Sequence, residues 1–103
     1  MIRQRFGRNT VRERDVERRL VEAVRSHGGL AIKFISPGWD GAPDRIILFP
    51  GKRLAFVELK RPGGKMRPIQ LRRKSILEKF GFRVYCIDQT EMIGEVLNEI
   101  LSA

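Results

Sequence analysis

The sequence predicts an α/β fold, a mixed β-sheet flanked by helices in the order α-β-β-β-α-β-α. Three observations support this prediction. Apolar residues recur at helical spacing near the start, middle and end of the chain, and short β-branched runs lie between these stretches. Two of the runs are joined by Pro50, Gly51 and Lys52, which is typical of a hairpin. The middle helix follows the third run and precedes the fourth, as a crossover connection does.

Length and composition predict a single domain with one modest hydrophobic core. The chain has 103 residues, 42% hydrophobic and 32% charged, as expected for one globular domain. We expect this domain over residues 10–103, after a flexible basic arm at residues 1–9. No run approaches the ~18 apolar residues of a membrane span, so we expect a cytoplasmic or nucleoid-associated protein. One cysteine and one histidine exclude a Cys/His zinc site, so carboxylates would have to hold any metal.

The charge of the chain predicts a polyanionic partner, with nucleic acid as the first candidate. The formal net charge is +9 and the sequence pI is about 10.8. Residues 60–74 contain seven Lys or Arg and no acid, whereas residues 90–103 contain three Glu and no base. This distribution indicates one surface that binds the partner and another that does not.

The first helix is predicted to begin near Thr10, since Glu13 three residues later completes a capping-box pattern. Its apolar stripe includes Val16 and Leu20, and the two glycines at 28–29 end it. Residues 30–35 are predicted as the first strand. The loop at 36–43 is rich in chain breakers, and its Trp39 is either a packing anchor or a platform for stacking a base.

The hairpin spans residues 44–60 and ends in charged residues. Because side chains alternate along a strand, Phe56, Glu58 and Lys60 share one face. Antiparallel pairing across the short turn brings Asp44, at the start of the first strand, beside Glu58 at the end of the second. Two carboxylates and an ammonium group are therefore expected at one end of an apolar hairpin.

The second helix is predicted to begin at Pro68 and to end before Gly81. Its apolar residues, expected to point inward, are Ile69, Ile76, Leu77 and Phe80. Residues 83–88 are predicted as the last strand. The final helix has an apolar stripe and an opposite face with Glu91, Glu95 and Glu99, which only a solvated or partner-facing surface would tolerate.

The charged end of the hairpin predicts a Mg²⁺ site for phosphodiester hydrolysis. Mg²⁺ prefers oxygen ligands, and Asp44, Glu58 and the backbone carbonyl of Leu59 could provide them. Lys60 could orient the attacking water or stabilise charge on the phosphate. Glu17 could add a carboxylate, directly or through water, although a solvated glutamate at the edge of the helix is the alternative. Gln70 could position the nucleophile or the lysine.

These residues resemble the VRR-NUC (virus-type replication-repair nuclease) family of the PD-(D/E)xK nuclease superfamily. The resemblance rests on the ordered motifs at residues 41–45, 57–60 and 68–70, and it extends from about Val16 to about Leu101. It implies a restriction-endonuclease-like core. It also implies that Glu17, Asp44, Glu58, Lys60 and Gln70 are the catalytic residues, with Mg²⁺ as cofactor and Mn²⁺ able to substitute.

The family includes small stand-alone phage and bacterial proteins and domains of large DNA-repair nucleases. A short chain resembles the stand-alone members, which are homodimers acting on branched DNA, so the resemblance implies a Holliday junction resolvase in a bacterial or phage-infected cell. A two-fold dimer would place two sites on symmetric strands. Either face of the final helix, or the first helix, could form the dimer contact.

The basic residues are expected to bind phosphates without reading bases. Those predicted to contact DNA are Lys33, Arg61, Lys65, Arg67, Arg72, Arg73 and Lys74. Two alternatives stay open. One is a nuclease of the same fold that cuts flaps or nicked duplex. The other is a non-catalytic DNA-binding module in which Asp44, Glu58 and Lys60 form a structural ion-pair cluster.

Overall fold

The computed structural model describes residues 11–103 and confirms the predicted order of elements. They are α1 (Glu13–Ser26), β1 (Leu30–Lys33), β2 (Arg45–Phe49), β3 (Arg53–Leu59), α2 (Pro68–Lys79), β4 (Arg83–Ile87), a short 3₁₀ helix (Thr90–Met92) and α3 (Ile93–Ser102). The basic arm at residues 1–9 and the Thr10 cap lie outside the described residues. Helix α1 begins at Glu13, and Asp15 accepts the backbone N–H of Arg12 at 3.0 Å. Among the helices at residues 11–103, none has the length and hydropathy that a membrane crossing requires.

The four strands form one mixed sheet in the order β1-β2-β3-β4. The first two pairs are antiparallel, and β4 joins β3 in parallel because α2 returns the chain to the same end of the sheet. Between β2 and β3, Gly51 and Lys52 adopt positive φ angles of 86° and 65°, which closes a three-residue loop. Arg45 pairs with Val57, so Asp44 lies across from Glu58 as predicted.

Helices α1 and α3 pack on one face of the sheet and form the main hydrophobic core. Val57 and Leu59 of β3 point into this core, together with the apolar stripes of both helices. The core residues contributed by α3 are Ile93, Val96, Leu97 and Ile100. The apolar face of the final helix, one of the surfaces predicted for a dimer contact, is therefore used within the chain itself.

Helix α2 lies on the opposite face, towards which Glu58 points because it alternates with Val57 and Leu59. The expectation that Phe80 packs inward is wrong: its side chain is 75% exposed. The helix ends at Lys79, and Phe80 is the cap residue, so its direction no longer follows the helical stripe. The buried residue of α2 is instead the polar Gln70.

Candidate active site

Asp44 stands at the entrance to β2, where backbone bonds hold it on both sides. Its N–H donates to the Val57 carbonyl at 3.0 Å, and its carbonyl accepts the Phe34 N–H at 2.9 Å. Its side-chain Oδ2 accepts the backbone N–H of Leu59 at 2.8 Å. The aspartate is thus fixed to both neighbouring strands, and one carboxylate oxygen sets the direction of the side chain.

Glu58 is a carboxylate inside the protein, with only 2% of its surface exposed. Its Oε2 accepts a hydrogen bond from Gln70 Nε2 at 2.6 Å and lies 3.3 Å from Lys60 Nζ. Its Oε1 is buried and has no hydrogen-bond partner among the described residues. Because a buried polar atom without a partner is costly, this oxygen calls for a cation or a donor that residues 11–103 do not supply.

Burial raises the pKa of Glu58 to about 7, from an ordinary value of 4.5. That value also includes the negative charge of Asp44, which contributes to the rise, and the hydrogen bond and charge of Lys60, which oppose it. Near neutral pH, Glu58 is therefore poised between its neutral and charged forms. A bound divalent cation would favour the charged form, since metal binding and proton release are coupled.

Lys60 follows the last residue of β3, and its backbone N–H donates to the Ile87 carbonyl at 3.0 Å. Its side chain is 16% exposed and reaches back to Glu58. The ammonium group is held at the charged end of the hairpin, close to solvent. This is the location from which it could contact a phosphate or a water.

Gln70 enters the site from the first turn of α2, which Pro68 starts. Its Oε1 accepts the Arg67 backbone N–H at 2.8 Å, which turns the Nε2 group towards Glu58. The sequence predicted that Gln70 positions the nucleophile or the lysine. In the structure its amide bonds Glu58 and fixes the orientation of that carboxylate.

Glu17, the predicted carboxylate of the first helix, is engaged in an ion pair. Its Oε2 accepts a hydrogen bond from Arg45 Nε at 2.9 Å, and the Arg45 Nη1 group donates to the Ala31 carbonyl at 2.8 Å. Glu17 lines a cleft of about 270 Å³ with Asp44, so it is close to the site. Its proposed role towards a metal stays a prediction.

Glu13 lines the same cleft one helical turn earlier and was missed by the sequence analysis. Partial burial raises its pKa, the charge of Asp44 raises it further, and Lys60 opposes the rise. Glu13 therefore lies in the electrostatic field of the hairpin carboxylates. Its spacing of four residues from Glu17 was the available signal, because residues i and i+4 share a helix face.

The site suits a hard cation that keeps part of its water shell. Within residues 11–103, no three His, Cys, Asp or Glu side chains converge as a ready-made metal cage. The predicted donors are two carboxylates, Asp44 and Glu58, and the Leu59 carbonyl. Mg²⁺ is commonly held by one or two carboxylates plus water, so this donor set and the unbonded Glu58 Oε1 fit it.

The basic residues predicted to bind DNA fall into two groups. Those with exposed side chains are Lys33, Arg61, Lys65, Arg67 and Arg72. Arg73 and Lys74 have partners within the chain. Arg73 Nε donates to the Asp40 carbonyl at 2.7 Å, and Lys74 Nζ lies 2.8 Å from Glu78 Oε2.

Comparison with known proteins identifies the family. No family model matches the chain. A curated phage protein named "Putative nuclease p44", from Acyrthosiphon pisum secondary endosymbiont phage 1, is 43% identical over 82 residues, covering 80% of this chain and 88% of the relative. A solved VRR_NUC domain superposes with a TM-score of 0.78 at 29% identity, covering 84% of this chain and 94% of that domain. The chain belongs to the VRR-NUC nuclease family. The VRR-NUC fold and the phage relative support nuclease function, and they confirm the resemblance found in the sequence motifs.

Proposed function

We propose that this VRR-NUC protein is a Mg²⁺-dependent endonuclease that cuts branched DNA and resolves Holliday junctions as a homodimer. The observation that carries the metal-dependent chemistry is the buried Glu58 carboxylate, whose Oε1 lacks a hydrogen-bond partner among the described residues. A structural ion-pair cluster would be expected to satisfy both oxygens of such a group. Glu58 instead presents one free oxygen beside a second carboxylate, Asp44.

Asp44, Glu58 and the Leu59 carbonyl would hold the cation. When bound, Mg²⁺ would polarise the scissile phosphate and lower the pKa of a coordinated water. Gln70 keeps Glu58 Oε2 occupied, which leaves Oε1 as the oxygen directed to the ligand. In the same way, the Leu59 N–H occupies Oδ2 of Asp44 and leaves its other carboxylate oxygen for the ligand. Both carboxylates are thereby preorganised before the cation arrives.

Lys60 would act on the phosphate or on the attacking water. Its ammonium lies 3.3 Å from Glu58 Oε2 and forms an ion pair with that carboxylate. From this position Lys60 would stabilise the negative charge that develops on the phosphate, or orient the attacking water. Removal of this side chain should therefore affect the rate more than DNA binding.

The exposed basic residues would bind the DNA backbone. Arg61, Lys65 and Arg67 lie in the loop that directly follows Lys60, so phosphates held there would approach the site. Phosphate contacts do not read the base sequence, and the DNA affinity that they provide falls steeply as the salt concentration rises. Specificity would then come from DNA shape, which agrees with a preference for branched substrates.

A homodimer would place two such sites on strands related by two-fold symmetry. Light scattering across a range of concentrations should give twice the monomer mass of 11.9 kDa. The phage relative supports a role in the cytoplasm of a bacterial or phage-infected cell.

The test is cleavage of matched four-way junctions, flaps, nicked duplexes and linear duplexes in Mg²⁺ and in Mn²⁺. We expect paired symmetric cuts in the four-way junction and slower cutting of the other substrates. Preferential cutting of flaps or nicked duplexes would support metal-dependent DNA cleavage but reject junction resolution. DNA binding without cleavage of any substrate would reject the enzyme.

A further inference from the structure

We propose that Arg73 is a positioning residue that fastens the loop before Asp44 to the helix carrying Gln70. This inference rests on the proposed function, because it concerns the same two carboxylates. It assigns to Arg73 a task different from phosphate binding. The loop at residues 36–43, which joins β1 to β2, is called the Trp39 loop below.

Arg73 contacts the Trp39 loop in two ways. Its Nε donates to the Asp40 carbonyl at 2.7 Å, and its Cζ lies 4.7 Å from the centroid of the Trp39 ring. The first contact is a charge-assisted hydrogen bond, and the second is a cation–π interaction. A planar guanidinium can make both at once, whereas a lysine ammonium cannot.

The backbone of the loop also lies directly against α2. A Cβ atom added to Gly41 would stand 2.8 Å from Ile69 Cγ1 and 3.0 Å from the Ile69 carbonyl oxygen, so only glycine fits there. Gly41 also has a φ of 87°, which glycine adopts without strain. Ile69 and Arg73 are four residues apart, so they present one continuous helix surface to the loop.

The two sides of this contact lead to the two carboxylates. Three residues after Gly41 the chain reaches Asp44, which is bonded to Phe34 just after β1 and, by its backbone and side chain, to β3. On the helix side, Gln70 is next to Ile69 and bonds Glu58 at 2.6 Å. The Arg73 contact therefore links the segment that positions Asp44 to the helix that orients Glu58, over a sequence separation of 33 residues between Asp40 and Arg73.

The deciding variant is Arg73→Lys, which keeps the positive charge and loses the planar guanidinium. Lys79→Ala is the control, since it removes an exposed charge from the last turn of the same helix. We expect Arg73→Lys to bind Mn²⁺ about 10-fold more weakly by paramagnetic resonance of the free ion, and to cleave saturating junction about 10- to 100-fold more slowly. Junction affinity should change less than 2-fold by our estimate, because the net charge is kept.

Two further measurements separate this role from a general loss of folding. Trp39 is the only tryptophan of the chain, so its fluorescence reports on the loop directly. Arg73→Lys should shift Trp39 emission and increase its quenching by acrylamide while the circular dichroism stays native. Gly41→Ala should weaken Mn²⁺ binding as well. Gly38→Ala shares a positive φ but its Cβ would meet no atom within 4 Å, so it should leave that binding unchanged.

The outcomes distinguish this inference from the proposed function. Wild-type Mn²⁺ affinity and rate in folded Arg73→Lys would overturn the positioning role and leave the nuclease intact. A wild-type protein that binds Mn²⁺ without cutting any DNA would reject the proposed function, and weaker Mn²⁺ binding by Arg73→Lys would still support the inference. A wild-type protein that binds no Mn²⁺ would overturn both.

Discussion

Replacing Glu58 by Gln should stabilise the protein at alkaline pH while removing its cation site. The wild-type carboxyl has a pKa of about 7 in the folded protein against an ordinary value of 4.5, so the folded state binds the proton more tightly than the unfolded state. Stability is then highest below about pH 4.5 and falls as the pH rises towards 7. The full difference between the folded and unfolded pKa values corresponds to a loss of about 3 kcal/mol in the free energy of unfolding at high pH.

The net gain from Glu58→Gln at pH 8 should be smaller, because the variant also loses the ion pair with Lys60. We expect about 1–3 kcal/mol, or roughly 5–15 °C in Tm for a domain of this size. At pH 4.5 the gain should fall below about 0.5 kcal/mol, since the wild-type carboxyl is then protonated in the folded state. Thermal unfolding followed by circular dichroism at the two pH values measures both quantities.

The exposed Glu95→Gln is the matched control for the loss of one negative charge, and it should change stability by less than about 0.5 kcal/mol. Mg²⁺ at tenfold its Kd should raise the stability of the wild type by about 1.4 kcal/mol at pH 8 and leave Glu58→Gln unchanged. A variant less stable than the wild type at pH 8, or an offset independent of pH, would refute the assignment of Glu58 as a destabilised buried carboxyl.

The other predictions concern the residues around Glu58. Gln70→Leu keeps the size of the side chain but removes the donor, so Mn²⁺ should bind about 10-fold more weakly; an unchanged affinity in the folded variant would argue against orientation of Glu58 by Gln70. Glu13→Gln and Glu17→Gln remove one carboxylate each from the same cleft. Glu17→Gln breaks the pair with Arg45 and should cost about 1–2 kcal/mol in urea unfolding. Glu13→Gln should leave stability nearly unchanged but weaken Mn²⁺ binding several-fold. If Glu17→Gln weakened Mn²⁺ binding more and Glu13→Gln cost more stability, the roles assigned to these two glutamates would be wrong.

The hairpin and its charged end follow from the sequence because they depend on short-range rules. Alternation along a strand puts Glu58 and Lys60 on one face, and a three-residue loop fixes the register that brings Asp44 across from Glu58. The Pro68 start likewise places Gln70 in the first turn of its helix. These relations need no knowledge of how the distant elements pack.

The remaining features depend on contacts between distant elements. The contact that joins Arg73 to the Trp39 loop across the face of α2 cannot be read from composition. Phe80 was expected inside because it continues an apolar pattern, yet the helix ends just before it. Glu13 was overlooked because its proximity to Asp44 is set by how α1 packs on the sheet.

The most direct test of the proposed active site is single-turnover cleavage of a labelled four-way junction in Mg²⁺, with Lys60→Ala alongside the wild type. We expect paired symmetric nicks from the wild type and a rate at least about 100-fold lower in Lys60→Ala. The variant should still bind the junction. A wild-type protein that binds the junction but cuts it in neither Mg²⁺ nor Mn²⁺ would contradict a nuclease built on Asp44, Glu58 and Lys60.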